Sequence, residues 1–121
     1  MSVGPWFKCY PDAFIGGLVG LDCDETAFYL HLVLRMYDAA DAIYADDRTI
    51  ARWCASNKRK WDRVKGSLIE KGKLHELSDG GLINARALSE MTQSAAERKG
   101  LPDAVQSRLA NLSELYGRKV A

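Results

Sequence analysis

The sequence predicts an α+β fold, predominantly helical, with one β-hairpin. Three observations predict it. Apolar residues recur at helical spacing through most of the chain. One stretch, 74–85, switches to alternation and is split by Ser78-Asp79-Gly80-Gly81, whose Asp-Gly and Gly-Gly dipeptides favour a tight turn. Two helical stretches before it, 48–54 and 56–73, are separated only by Ala55 and a capping Ser56. At 121 residues the chain is one domain with a short tail, long enough to bury a core without staples.

The elements follow in order. Residues 6–10 are aromatic-rich and extended, and Pro11 disfavours helix at Tyr10 while opening one itself. Asp12–Leu18 makes a short helix, weakened by Gly16, Gly17 and Gly20. The aromatics Trp6, Phe7, Tyr10 and Phe14 read as a lid over the core. Leu21–Ala40 is the clearest helix, opened by a capping box of Asp22 and Glu25. Ala27, Leu30, Leu34 and Tyr37 line one face, and Val33 and Met36 widen it. Asp24, His31, Arg35 and Asp38 leave only a narrow polar stripe, so this helix is the central scaffold. Residues 41–45 form a short strand or loop. Asp46 or Asp47 then caps a brief helix, Arg48–Cys54, with Ile50, Ala51 and Trp53 apolar.

Residues 56–73, SNKRKWDRVKGSLIEKGK, form the stretch the rest serves. Ser56 is expected to be its N-cap. Trp61, Val64 and Leu68 fall on one side, and Arg59 and Arg63 fall roughly opposite, beside Asp62 and Gly66. Lys58, Lys60 and Lys65 flank that outer face, and Gly72 ends the helix. Two helices joined by so short a turn, the second basic outside, are a helix-turn-helix arrangement. The hairpin, Leu74–Leu77 with Leu82–Ala85, follows. That order is a winged helix-turn-helix. Ala87–Lys99 is a further helix through Leu88, Met91 and Ala95, and Gly100-Leu101-Pro102 interrupts it. Asp103–Tyr116 is the last helix, with Val105, Leu109, Leu112 and Tyr116 in one seam and Gly117 after it. The chain thus divides into a winged-helix domain, 1–99, and a C-terminal helical segment, 100–121, placed for dimerisation or docking.

Composition narrows function more by exclusion. No apolar run reaches membrane-spanning length, and no secretory leader opens the chain. Cys9, Cys23 and Cys54 are odd in number and widely spaced, which fits reduced thiols in the cytoplasm better than a disulfide frame. With only His31 and His75 to join them, no metal spacing arises. There is no nucleotide-binding glycine loop, no paired-carboxylate motif and no Cys–His arrangement, so neither a cofactor nor catalysis is expected. Net charge is only +1, but residues 1–47 carry −6, residues 48–73 carry +7 and residues 74–121 balance. A basic stretch of this density attracts polyanions even on a near-neutral protein.

The opening Pro5-Trp6-Phe7-Lys8-Cys9-Tyr10-Pro11-Asp12 resembles that of the YdaU-like prophage family of domains of unknown function. So do Gly20-Leu21 and Glu25, Asp46-Asp47-Arg48, Lys60-Trp61, and the run Gly81-Leu82-Ile83-Asn84-Ala85-Arg86. The resemblance covers about residues 5–98. It implies a winged-helix domain working in phage or prophage DNA metabolism, in replication initiation or transcription control.

The residues and the resemblance together point to a DNA-binding protein. Arg59 and Arg63 are expected to face the major groove, where Arg is the commonest reader of guanine. Ser56, Lys58, Lys60, Lys65, Arg48, Arg52 and Lys73 are expected to hold phosphates. Asp79 leaves the wing tip without a cation, so the helix carries most of the binding. The partners expected are double-stranded DNA, a second copy through Val105, Leu109, Leu112 and Tyr116, and a phage or host replication protein, with no membrane. The competing reading is a non-catalytic interaction module of a replication or regulatory assembly.

Overall fold

The computed structural model describes residues 11–97 and 102–120. Six helices are found there: α1 (Pro11–Leu18), α2 (Cys23–Ala39), α3 (Asp47–Trp53), α4 (Lys58–Glu70), α5 (Ala85–Glu97) and α6 (Asp103–Val120). Between α4 and α5 lie two short antiparallel strands, β1 (His75–Glu76) and β2 (Leu82–Ile83). The fold is therefore predominantly helical with a small antiparallel sheet.

Local chemistry sets most boundaries. Asp22 Oδ1 accepts from the Glu25 amide at 2.8 Å, and Glu25 Oε1 accepts from the Asp22 amide at 3.0 Å, so the capping box at α2 is complete. Asp46 caps α3, accepting from the Thr49 amide at 2.7 Å. Asn84 caps α5: its Oδ1 accepts from the Ala87 amide at 2.9 Å, while its Nδ2 donates to the Lys73 carbonyl at 2.8 Å. This cap starts α5 at Ala85, two residues before the position periodicity suggests, because Asn84 and Ala85 read equally well as strand.

Pairing in the sheet is His75 with Ile83 and Glu76 with Leu82. Both main-chain groups of Leu82 are taken by Ile43, each at 2.9 Å. The segment after α2 is thus a one-residue bridge on β2, where the sequence left strand and loop open. Tyr44, next along, lies over the hairpin. A Cβ at Gly81 would sit 2.8 Å from its ring, so only glycine permits this approach.

The core is one cluster. Phe28, Leu32 and Met36 of α2 meet Ile50 of α3, Trp61, Val64 and Leu68 of α4, Leu74 and Ile83 of the hairpin, Met91 of α5, and Leu109 and Leu112 of α6. Phe14 of α1 packs against it. Trp61 is fully buried, its ring 5.0 Å from that of Phe28, with Nε1 donating to Asp47 Oδ1 at 2.9 Å. The placement of Trp61 against α2 agrees with the sequence expectation.

Several expectations are corrected. The buried face of α2 is Phe28, Tyr29, Leu32, Val33 and Met36, whereas Ala27 and Leu34 are exposed and Leu30 and Tyr37 half-buried. Apolar residues encircle most of this helix, so periodicity alone does not decide which part faces the core. α6 runs through Gly117 to Val120, since glycine in a helix costs only about 1 kcal/mol relative to alanine and does not by itself stop it. Leu109 and Leu112 are buried in the common core, and Tyr116 meets His75 edge-on at 5.2 Å. Leu109 and Leu112 of the expected seam are thus packed within the chain, with Val105 and Tyr116 partly buried beside them, so α6 docks on the core, one of the two outcomes the sequence left open for it. The aromatic lid residues Trp6, Phe7 and Tyr10 lie outside the described residues.

Candidate nucleic-acid interface

α3 ends in a tight turn. Ala55 takes a left-handed conformation at φ 51°, its amide donating to the Arg52 carbonyl at 3.0 Å, and the Ser56 amide donates to the Ala51 carbonyl at 2.9 Å. Residues 54–57 separate the two helices, where the sequence reading allowed only Ala55 and Ser56. Asn57 is the N-cap of α4, accepting from the Lys60 amide at 2.9 Å, and Ser56 is not. The Ser56 hydroxyl is instead buried and has no hydrogen-bond partner.

Burying Trp61, Val64 and Leu68 turns Arg59, Asp62 and Arg63 of α4 outward, as expected. The surroundings of these cations were not legible. Arg63 Nη2 lies 3.0 Å from Asp24 Oδ2, and Nη1 lies 3.8 Å from Asp22. Lys60 lies 3.8 Å from Asp24. Lys71 donates to both oxygens of Glu25, at 2.8 and 2.9 Å, and Ser67 donates to the same carboxylate. The amino end of α2 is therefore an acidic cap along one flank of α4. Main-chain donation from Asp22 and the bonds from Lys71 and Ser67 hold the Glu25 carboxyl down at about 2. On the other flank Lys65 lies 3.5 Å from Asp47. Lys58 pairs with Asp62 at 2.7 Å, and that bond raises its ammonium pKa.

Arg48, Arg52 and Arg59 are exposed, and among the described residues none has a hydrogen bond or an ion pair. Arg48 and Arg52 stand one turn apart on α3. With Ala51, Ser56, Asn57 and Lys58 they line a groove of about 470 Å³ at the amino end of α4. The expected site residues thus divide. Arg48, Arg52, Ser56 and Lys58 line one groove, Arg59 stands exposed nearby on α4, and Lys58, Lys60, Arg63 and Lys65 are held by carboxylates. Lys73 is half-buried beyond the far end of α4, about 20 Å from the groove at the helical rise per residue.

The hairpin tip also differs from expectation. Asp79 does not project as a free acid. It accepts from Tyr44 Oη at 2.7 Å and from the Gly81 amide at 3.1 Å, and Arg108 of α6 donates to the same Tyr44 oxygen and, at 2.9 Å, to Asp41. Burial, reinforced by Asp79 as acceptor, pushes the Tyr44 phenol up to about 12. Replacing Asp79 by Lys would set a cation against Arg108, so this position anchors the hairpin and is not a neutral surface site.

No helix among the described residues is long and apolar enough to cross a membrane. Among them, no three His, Cys, Asp or Glu side chains stand together as metal ligands. Cys23 and Cys54 are free thiols.

The fold and site define a small, mostly helical protein with a cluster of exposed cations where two consecutive helices meet. Residues 5–92 match the DUF1376 family, whose description is "protein of unknown function", and the chain belongs to that family. The match ends before α6. No curated protein and no solved structure matches the chain.

Proposed function

We propose that this protein is a winged-helix DNA-binding protein of phage or prophage type, acting in replication initiation or transcription control. The observation that carries the reading is the convergence of unpaired Arg48 and Arg52 with Lys58 at the amino end of α4, next to unpaired Arg59. Helix ends of this polarity favour anions, and exposed guanidiniums clustered on one surface are the footprint of a polyanion partner. The element order supports it: α2, the Ile43 bridge, α3, α4 and then the hairpin, with Ile43 paired to β2. That is the succession of helix, short strand, two helices and wing. The phage setting rests on the sequence resemblance.

Fluorescence anisotropy with labelled random-sequence duplex and single-stranded DNA tests the proposal. With about four phosphates engaged, log affinity should fall against log salt with a slope of about −4 on duplex. Arg59→Glu should weaken binding at least several-fold without unfolding the protein, because Arg59 is exposed and unpaired. Retention of neither DNA at physiological salt would overturn the reading. The interaction-module alternative draws on a specific observation of its own. Asp62 and Glu70 share the exposed side of α4 with Arg59 and Arg63, so that ridge is balanced in charge.

A further inference from the structure

We infer that Arg108 latches the tip of the β1–β2 hairpin to α6, so that the C-terminal helix acts as a strap setting the position of the hairpin. The latch does not depend on the nucleic-acid reading. Little main chain holds this hairpin. Each strand is two residues long, and the tip is closed by the Leu77 amide on the Gly81 carbonyl and the Gly80 amide on the Leu77 carbonyl. Two-stranded hairpins are marginal alone in water, so contacts from other segments decide how firmly the tip is held.

Those contacts run through four side chains from three segments. Arg108 of α6 donates from Nε to Asp41 Oδ1 at 2.9 Å and from Nη2 to Tyr44 Oη. Its guanidinium also lies 5.2 Å from the centre of the Tyr44 ring. Tyr44 Oη donates in turn to Asp79 Oδ2 at 2.7 Å, and Asp79 Oδ1 accepts from the Gly81 amide at 3.1 Å. The Tyr44 ring rests on Gly81, and Ile43 beside it pairs with Leu82. Arg108 thus reaches a main-chain amide of the hairpin tip through two intervening side chains. It stands 64 residues from Tyr44 in the sequence, and the packing of Leu109 and Leu112 into the core brings it there.

The direction of the Tyr44 bond is fixed. Burial, reinforced by Asp79, holds the phenol up at about 12, so it stays a donor, and the same bond holds the Asp79 carboxyl below its usual range. The Arg108 charge faces both Asp41 and Asp79. Without it two carboxylates lose their cation and the Tyr44 oxygen loses a donor. Coupling of this kind is reciprocal: a molecule that orders the hairpin tip also steadies α6, and displacement of α6 frees the tip. The family match, 5–92, contains the hairpin but not α6, so the latch joins the matched unit to a helix outside it.

Hydrogen exchange followed by NMR on the full chain tests the latch, with Arg108→Ala perturbing one end and Tyr44→Phe the other. Tyr44→Phe keeps the ring on Gly81 and loses only the hydroxyl. The amides of Gly80, Gly81 and Leu82 should exchange about tenfold faster in each variant, as the loss of a hydrogen bond to a charged group implies. Amides in the middle of α2 and α4 should hold their rates, because partly exposed ion pairs contribute little to global stability. Tyr44→Phe should also speed exchange in the first two turns of α6. Hairpin exchange unchanged in either variant would overturn the latch. So would α6 exchange unmoved by Tyr44→Phe. Exchange accelerated equally throughout the protein would overturn it as well, since that is the mark of lost global stability and not of a local tie.

Discussion

Trp61 decides which side of α4 meets solvent, so its removal is the most direct probe of the arrangement. The indole is completely buried, packs against Phe28 at 5.0 Å and donates to Asp47 at 2.9 Å. Trp61→Ala removes the ring, leaves a cavity between α2 and α4, and strips Asp47 of a donor. Large aromatic deletions in such sites cost about 3–5 kcal/mol. At this chain length 1 kcal/mol corresponds to roughly 4 °C, so the melting temperature should fall by about 12–20 °C. Trp61→Phe separates the two effects. It keeps most of the packing and loses the hydrogen bond, which is worth about 1.5–3 kcal/mol with a charged acceptor. Its melting temperature should therefore fall by roughly 6–12 °C. Thermal melts followed by circular dichroism, with urea titrations to check that the m-value is unchanged, provide both numbers. If Trp61→Ala melts within about 2 °C of the parent, the indole is not the wedge between α2 and α4, and the outward orientation of Arg59 and Arg63 loses its basis.

Three further outcomes are expected. Asp24→Asn together with Asp22→Asn keeps a competent cap at α2 but frees Arg63 and Lys60. Duplex affinity should rise several-fold at low salt and become more salt-dependent, and an unchanged anisotropy titration would show that these cations do not meet DNA. Glu25 is held at about 2 in the folded chain against an ordinary value of 4.5, so its contribution is complete above pH 4.5 and is lost as pH falls toward 2. Urea midpoints measured across that window should drop less in Glu25→Gln than in the parent, and parallel curves would contradict the Lys71–Glu25–Ser67 arrangement. Ala55 is exposed and left-handed at φ 51°, so Ala55→Gly should stabilise the protein by about 0.5–1 kcal/mol, relieved backbone strain outweighing added unfolded-state entropy. A lower melting temperature in that variant would contradict the turn geometry between α3 and α4.

Signals confined to a few neighbouring residues were legible in the sequence. The Asp22–Glu25 capping box, a cap at Asp46 or Asp47 and the turn at 78–81 depend on chemistry within one turn of helix or one hairpin, and the shared face of Trp61, Val64 and Leu68 on spacing within one helix. Such interactions survive whatever the rest of the chain does. The order of elements, and the clustering of cations in residues 48–73, came from the sequence by the same route.

What the sequence alone left open depends on which elements meet. The apolar residues of α2 nearly encircle it, so only packing against α4 and α5 chose Phe28 and Leu32 over Leu34. The acids of the N-terminal region were visible as a net charge, but their pairing with Lys60, Arg63 and Lys71 spans about forty residues of chain and needs the crossing of α2 and α4. The same holds for Arg108, which reaches Asp41 and Tyr44 only because α6 packs into the common core. A charge count adds residues without regard to distance, whereas ion pairing depends on separations of a few ångströms. The sequence therefore determined where positive charge is made, and tertiary packing decided which of it is tied to carboxylates, at Lys60, Arg63, Lys65 and Lys71.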